Sequence, residues 1–170
     1  MEDIINRVAN SALKVFDLED YYPSGPRSTI DLADWLEEGF LLKEVDFRNK
    51  LKGEDWSKYQ NHLVNIVCST DAIVPAWSSI LIATYLAPFA KKVISGTSTE
   101  LDTLIYHEAL GKVDFSEFEN QAVIIKGCAR KPVPTSAYLL AVSYLQPIAK
   151  SIMYGEACSA VPLYKRPKTN

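Results

Sequence analysis

The sequence predicts an α/β fold whose mostly parallel, doubly wound sheet is built from two repeated βαβ units, with a small N-terminal α+β extension. Three observations support this prediction. Two short β-branched apolar runs each precede a loop and a long uncharged segment of helical character. The two uncharged segments match one another without a gap, and each leads into a second short strand that ends at a glycine. Because parallel strands need a crossover connection, each copy is expected to be one right-handed βαβ unit.

The internal repeat aligns segment 74–96 with segment 133–155 at an offset of 59 residues. Nine of the 23 aligned positions are identical, whereas average residue usage gives roughly one or two identities by chance. The matching prolines and the matching final glycine favour a structural repeat over two helices that are merely both apolar. The identical pairs are Val74 and Val133, Pro75 and Pro134, Leu81 and Leu140, Tyr85 and Tyr144, Leu86 and Leu145, Pro88 and Pro147, Ala90 and Ala149, Lys91 and Lys150, and Gly96 and Gly155.

The first part of the chain has a different pattern. Residues 13–18 alternate between apolar and polar side chains as a half-buried strand does, and residues 28–32 form a second such run. Residues 22–26 contain two prolines and a glycine, which predict a turn between these runs. We therefore expect a hairpin-like arrangement of the two strands, followed by a helix over 45–51 and a charged, aromatic surface stretch over 52–60.

The repeated core follows this extension. In each copy a cysteine-containing loop follows the first strand, and a proline lies near the first turn of the helix, where its missing N–H costs nothing. Between the copies, residues 97–100 form a capping segment for a helix that ends at about Leu110, before Gly111. Strands are expected at 63–67, 92–95, 122–125 and 151–154, and helices after the loops 68–73 and 127–133.

Length and composition suit one compact domain. The chain has 170 residues, of which 48% are hydrophobic, and this is enough to bury a stable core without disulfides. We expect an N-terminal extension over 1–60, a duplicated core over 61–164 and a basic tail over 165–170. The net charge of −3 argues against a nucleic-acid partner, because phosphate backbones are bound by basic surfaces.

The sequence also predicts a cytoplasmic protein that does not enter a membrane. The first ten residues lack the apolar stretch of a secretory signal, and three cysteines, an odd number, suit a reducing compartment. Two uncharged runs, 72–90 and 132–149, approach the length of a membrane span. The first contains two prolines and the second three, and both contain several hydroxyl or amide side chains, so buried helices explain them better.

The three cysteines are the candidate functional residues. Cys68, Cys128 and Cys158 each follow a predicted parallel strand, and the carboxyl edge of such a sheet is where α/β proteins bind ligands. Thiolates are soft ligands, so the expected cofactor is zinc, iron or an iron–sulfur species. Lys126 and Arg130 are expected to offset the thiolate charge. The candidates for a fourth ligand, in order, are Asp71, Glu156 and His107.

Two other interpretations of the same residues stay open. In the first, Cys128 is a thiolate nucleophile whose pKa is lowered by Lys126, Arg130 and Lys131 and by the helix that follows. No histidine is placed as its general base, so sulfur transfer or redox exchange is expected rather than hydrolysis. The same three cations also suit an anion at the start of the helix, or a solvated face.

In the second interpretation the chain is a non-catalytic interaction protein. Its cysteines pack as small buried hydrophobes, and Trp35, Trp56 and Tyr59 form an exposed surface for a partner. The motifs GxGxxG, GxxxxGK[ST], HExxH and GxSxG are all missing from the sequence, so nucleotide binding and the corresponding hydrolases have no support.

Four stretches of the chain carry a family resemblance: 17–23 (DLEDYYP), 72–77 (AIVPAW), 125–134 (IKGCARKPVP) and 155–164 (GEACSAVPLY). The sequence resembles the bacterial family catalogued as domain of unknown function 2480, over nearly its whole length. The resemblance implies a cytoplasmic bacterial protein with no assigned activity, and so no catalytic residues. It also implies a genomic setting beside iron–sulfur cluster assembly genes, and hence iron–sulfur assembly proteins as partners.

Overall fold

The computed structural model describes residues 13–127, 129–156 and 158–167. Over these residues the chain is a mixed α/β protein with mostly parallel sheets. The strands are β1 (Leu13–Asp17), β2 (Arg27–Asp31), β3 (Leu63–Val67), β4 (Lys92–Ser95), β5 (Ala122–Lys126), β6 (Ser151–Tyr154) and β7 (Val161–Lys165). The α-helices are α1 (Glu44–Lys52), α2 (Trp77–Leu86), α3 (Ser98–Leu110) and α4 (Thr135–Leu145).

The strands lie in two sheets, one in each of two compact units. The continuous unit is Ser24–Leu101, and its sheet has the order β2-β3-β4 with all strands parallel. The split unit combines Met1–Pro23 with Asp102–Asn170, and its sheet has the order β1-β5-β6-β7. In that sheet only β7 is antiparallel to its neighbour. The continuous unit is therefore an insertion in the sequence of the split unit.

The single doubly wound sheet expected from the sequence is not observed. In each unit the parallel strands follow one another in chain order, and right-handed crossovers then place both connecting helices on one face. The core of the continuous unit shows the helices on one face of the sheet, because α1 and α2 pack in one hydrophobic cluster with alternate residues of β3. The buried members are Phe47 and Leu51 of α1, Ile82 and Leu86 of α2, and Val64 and Ile66 of β3.

The hairpin expected near the N-terminus is also not observed. The two predicted strands exist, but β1 pairs in parallel with β5, and β2 pairs in parallel with β3. Parallel pairing lets Phe16 and Ile30 join the buried clusters built on β5 and β3. At the end of each strand an aspartate, Asp17 or Asp31, caps a short 3₁₀ helix that turns the chain out of the sheet. The division into 1–60, 61–164 and 165–170 stays a prediction.

Corresponding positions of the two units lie 59 residues apart. Leu63 pairs with Lys92 between β3 and β4, and Ala122 pairs with Ser151 between β5 and β6. The turns before these strands agree as well. Asn61 has φ 62° and donates its N–H to the Phe89 carbonyl, while Asn120 has φ 56° and donates to the Ile148 carbonyl. Asparagine tolerates this left-handed conformation better than most residues. The units can therefore be compared position by position.

Of the aromatic residues expected to form a partner surface, Trp56 belongs to the core of the continuous unit, and the partly buried Trp35 and Tyr59 pack against that core. Trp56 is 6% exposed, its ring stacks on Tyr85 with centroids 5.4 Å apart, and its Nε1–H donates to the Leu51 carbonyl at 2.9 Å. Trp35 and Tyr59 pack around it with ring centroids 6.1 Å away. The 3₁₀ helix capped by Asp55 directs the Trp56 side chain inward, which the sequence pattern did not show.

Among the described residues, no helix has both the length and the apolar character needed to cross a bilayer. The two long uncharged runs contain helices of 10 and 11 residues, α2 and α4, and the rest of each run is loop. Each of these helices ends just before the proline that lies late in its run.

Candidate functional site

Two loops that contain a cysteine occupy equivalent places in the two units. Residues 68–76 connect β3 to α2, and residues 127–134 connect β5 to α4. Both loops leave the carboxyl end of a strand that has a parallel neighbour on each side. This is the position at which open α/β sheets place ligand and catalytic residues. An acidic side chain from the end of the neighbouring strand holds each loop.

Glu19 holds the loop of the split unit from inside. The residue is 2% exposed, and its Oε1 accepts the backbone N–H groups of Ala129 at 2.5 Å and Arg130 at 2.7 Å. Its Oε2 lies 3.3 Å from Nε of Arg130, and its carbonyl accepts from Nζ of Lys131 at 3.0 Å. The Arg130 N–H, assisted by those of Ala129 and Lys131, holds the pKa of Glu19 below its usual range. Residues 129–131 of the loop therefore bind the ionised side chain and the carbonyl of Glu19.

Asp17 links the end of β1 to the last residue of β5. Its Oδ1 accepts the N–H of Glu19 at 2.9 Å, and its Oδ2 lies 3.1 Å from Nζ of Lys126. The hydrogen bond to Asp17 raises the pKa of Lys126, with a smaller contribution from Glu156. Both basic residues predicted at this site, Lys126 and Arg130, are therefore paired with acids of the β1 end. The Arg130 side chain is nevertheless 83% exposed.

The loop of the continuous unit is held in a related way. Oδ1 of Asp31 accepts the Ser69 N–H at 3.0 Å, and hydrogen bonds from Ser69 lower the pKa of Asp31. The half-buried Cys68 has its Sγ 3.5 Å from Oγ1 of Thr70, which in turn donates to the Gly39 carbonyl at 2.6 Å. This thiol therefore rests in a network of neutral hydrogen-bonding groups.

The predicted metal ligands divide between the units. Cys68 and the exposed Asp71 belong to the continuous unit, and the exposed Glu156 and Cys158 belong to the split unit. The expectation that the cysteines follow strands of one sheet is wrong, because β3 and β6 lie in different sheets. Within residues 13–127, 129–156 and 158–167, no three His, Cys, Asp or Glu side chains are grouped to hold a metal ion. Cys128 lies outside the described residues. His107 is exposed on α3.

Topology still brings two of the cysteine positions to one edge. In the sheet of the split unit, β5 and β6 are adjacent and parallel, with Ile125 opposite Tyr154. The N–H of Gly155, just after β6, donates to the Ile125 carbonyl at 3.1 Å. Cys128 follows the end of β5 by two positions, and Cys158 follows the end of β6 by four. Both thiols therefore belong to loops at the carboxyl ends of neighbouring strands. The Cys158 thiol is free and exposed.

The anchoring residues Asp17 and Glu19 were not among the predicted site residues. The sequence does contain a signal for the aspartates: the dipeptide Asp-Leu ends an alternating run at 17–18 and again at 31–32. Both aspartates cap a 3₁₀ helix, so the repeated dipeptide marks the strand ends. The role of Glu19 has no such signal, because its partners lie 110 and 111 residues away along the chain.

Comparison with known proteins identifies a family but no function. The family model described as "Protein of unknown function (DUF2480)" matches residues 2–166. No curated protein and no solved structure matches the chain.

Proposed function

The chain belongs to the DUF2480 family, whose description assigns no function, and we propose that it acts through thiol exchange at the carboxyl edge of the split unit's sheet. Cys128 is the attacking thiolate, and Cys158 is the second thiol. The observation that carries the proposal is the anchoring of the loop 127–134, which follows β5 directly, by the buried carboxylate of Glu19. Glu19 fixes the backbone of residues 129 and 130, which follow Cys128 in sequence, at the edge where α/β proteins place catalytic groups.

Charge in this loop supports the choice of Cys128 as the nucleophile. Lys126 and Arg130 are paired with Asp17 and Glu19, but Lys131, three residues after Cys128 in sequence, donates to the Glu19 backbone carbonyl rather than to a carboxylate. Such a cation lowers the pKa of a nearby thiol. Cys68, in contrast, contacts the neutral hydroxyl and carbonyl of Thr70. Exposure supports the choice of Cys158 as the second thiol, since this side chain is accessible. The expectation that the cysteines are buried is wrong for Cys158, which is exposed, whereas Cys68 is half-buried and packs against the core of the continuous unit.

The proposed reaction is a balanced thiol–disulfide exchange. The Cys128 thiolate attacks one sulfur of a substrate disulfide, forms a mixed disulfide and releases one substrate thiolate. The Cys158 thiolate then attacks the Cys128 sulfur, which closes an internal disulfide and releases the second substrate thiolate. The substrate disulfide gains two electrons, and the two protein thiols lose them. Because the second step consumes the mixed disulfide, a variant that lacks Cys158 should accumulate it. Such accumulation is evidence for the proposed exchange.

Alkylation kinetics test this proposal. We expect one thiol of the reduced protein to react with iodoacetamide at pH 7 about tenfold faster than a free cysteine, because a lowered pKa increases its thiolate fraction. Cys128→Ser should lose the fast phase, and the matched control Cys68→Ser should retain it. With oxidised glutathione, Cys158→Ser should accumulate a glutathione adduct on Cys128 that the native chain resolves. Equal, slow alkylation of all three cysteines would exclude this reaction.

Metal binding is the second candidate, because the Cys158 loop combines an exposed thiol with the exposed carboxylate of Glu156. In this proposal zinc or iron is held by Cys128, Cys158 and Glu156, all of which belong to the split unit, and iron–sulfur assembly proteins are the partners. Elemental analysis of protein purified without a metal-affinity tag separates the candidates. About one metal per chain, with two thiols released by chelation, supports the metal site. Metal-free protein with unchanged thiol titration supports thiol exchange.

A further inference from the structure

The Arg130 side chain is held on one side by Glu19 and is otherwise exposed. Its Nε lies 3.3 Å from Oε2 of Glu19, and its backbone N–H donates to the same carboxylate at 2.7 Å. The Glu19 side chain is 3% exposed, whereas that of Arg130 is 83% exposed. Neither terminal nitrogen of the guanidinium, Nη1 or Nη2, meets an acceptor in the described part of the chain. The N–H donors on these two nitrogens are therefore available to an anion.

Lys131 adds a second exposed cation to the same loop. Its Nζ donates to the Glu19 carbonyl at 3.0 Å and lies 5.6 Å from the centre of the Tyr22 ring. Both partners are neutral groups, and no carboxylate among the described residues is paired with the Lys131 ammonium. Two adjacent cations of the Cys128 loop thus keep the capacity to bind a negative charge from solution.

The loop of the continuous unit shows that the fold does not require these cations. At the offset of 59 residues, Arg130 corresponds to the exposed Asp71, and Lys131 corresponds to Ala72. Both loops nevertheless connect a central parallel strand to an α-helix. Because the equivalent loop forms with an acid and an alanine at these positions, the connection itself does not account for two basic residues. Recognition of an anion accounts for them.

We propose that the disulfide attacked by Cys128 carries a carboxylate within a few bonds of its sulfur, and that Arg130 binds this carboxylate. The inference rests on the proposed thiol exchange and adds the substrate class, without changing the bonds or electrons of that reaction. Arg130 follows Cys128 by two residues, and two residues span at most about 7 Å. A carboxylate close to the sulfur therefore suits the site, and the planar guanidinium matches its two oxygens.

Matched small disulfides test the proposal on the native chain. Dithiodipropionate is anionic, hydroxyethyl disulfide is neutral and cystamine is cationic, and the three are nearly equal in size. The rate of each with the reduced chain is divided by its rate with N-acetylcysteine amide, which removes differences in intrinsic reactivity. We expect the normalised rate of dithiodipropionate to exceed that of the neutral disulfide about tenfold, because charge-assisted hydrogen bonds are strong. Equal normalised rates, or a preference for cystamine, would overturn the proposal.

Arg130→Gln is the variant test, and Arg48→Gln is its matched control. The ratio of the anionic to the neutral rate is compared between variants, because it cancels any change in the reactivity of the thiol itself. Arg130→Gln keeps the backbone N–H that binds Glu19 and should lower the ratio to near one. Arg48, on α1, is paired with Glu44 through its Nε, and its substitution should leave the native ratio. A high ratio that persists in Arg130→Gln would overturn the assignment of this residue.

Glu156→Gln is a second variant, outside the anchored loop. Glu156 is exposed, and its charge raises the pKa of Lys126 after the larger effect of Asp17, so this acid opposes an anion at the same edge. Its removal should raise the ratio about twofold. A lower ratio in Glu156→Gln would overturn the recognition of an anion here.

Failure of this inference is distinguishable from failure of the proposed function. A chain without a fast-reacting thiol would overturn the thiol exchange, and this inference with it. Fast alkylation of Cys128 together with equal normalised rates for the three disulfides would overturn only the recognition of a carboxylate.

Discussion

Trp56→Ala is expected to lower the free energy of unfolding by about 3–5 kcal/mol, the usual range for large aromatic side chains removed from a core. Trp56 is 6% exposed and packs between Trp35, Tyr59 and Tyr85. Truncation leaves a cavity among these rings and removes the indole N–H that donates to the Leu51 carbonyl. Urea denaturation followed by far-ultraviolet circular dichroism measures the loss.

The control for this prediction is Phe40→Ala. Phe40 is 59% exposed, so its truncation should change the free energy of unfolding by no more than about 0.5 kcal/mol. A similarly small effect for Trp56→Ala would contradict the buried position of this residue. It would return the three aromatic residues to the partner surface that the sequence suggested.

Glu19→Gln is expected to release the loop that carries Cys128. The variant keeps the shape of the side chain but loses the charge that the N–H groups of Ala129 and Arg130 bind. Hydrogen bonds to a charged acceptor are about twice as strong as neutral ones, so hydrogen exchange at these two amides should accelerate on the order of tenfold. The melting temperature should fall as well. If the proposed thiol exchange operates, the rate at which Cys128 reacts with iodoacetamide should also change in this variant.

The effect of Glu19→Gln should depend on pH with a defined sign. Hydrogen bonds to its carboxylate lower the pKa of Glu19 in the folded chain, and the bond from the Arg130 N–H has the largest effect. Folding therefore favours the ionised form of Glu19. The stability contributed by this ionised form is fully present above the usual glutamate pKa of about 4.3, and it is lost as the pH falls through the lowered folded value. The difference in melting temperature between native chain and variant should therefore be large at pH 7 and shrink towards pH 3.

Glu117→Gln is the matched control for the pH dependence. Glu117 pairs with Lys14 at 3.2 Å, but both side chains are about half exposed, with accessibilities of 61% and 47%. Exposed ion pairs contribute little to stability, so the melting temperature of this variant should follow the native curve at every pH. Equal curves for Glu19→Gln and the native chain would show that the buried carboxylate does not hold the loop.

Local pattern was sufficient to place the elements of the chain but not to pair them. The β-branched runs at 63–67 and 122–125 predicted β3 and the greater part of β5, and the capping segment at 97–100 predicted the start of α3. Alternation also located β1 and β2. Their partners could not be deduced, because a strand has the same side-chain pattern whether its neighbour is parallel or antiparallel and near or far in sequence.

The candidate site was predictable to a similar extent. The preceding strand was enough to place Cys158 in a loop at the carboxyl end of a parallel strand. The assignment of Cys68 to a different sheet, the burial of Trp56 and the role of Glu19 all depend on contacts between segments distant in sequence. Whether a carboxylate is solvated or buried against backbone N–H groups is likewise decided by the surrounding chain.

The sequence by itself therefore determined the α/β class and the positions of most strands and helices. These properties follow from side-chain periodicity, prolines and caps, which act over a few residues. Only the tertiary structure decided that the strands form two sheets, that both helices of a unit cover one face, and that Glu19 closes the Cys128 loop. These outcomes depend on which distant segments bury their apolar surface together, because the hydrophobic effect has no direction along the chain.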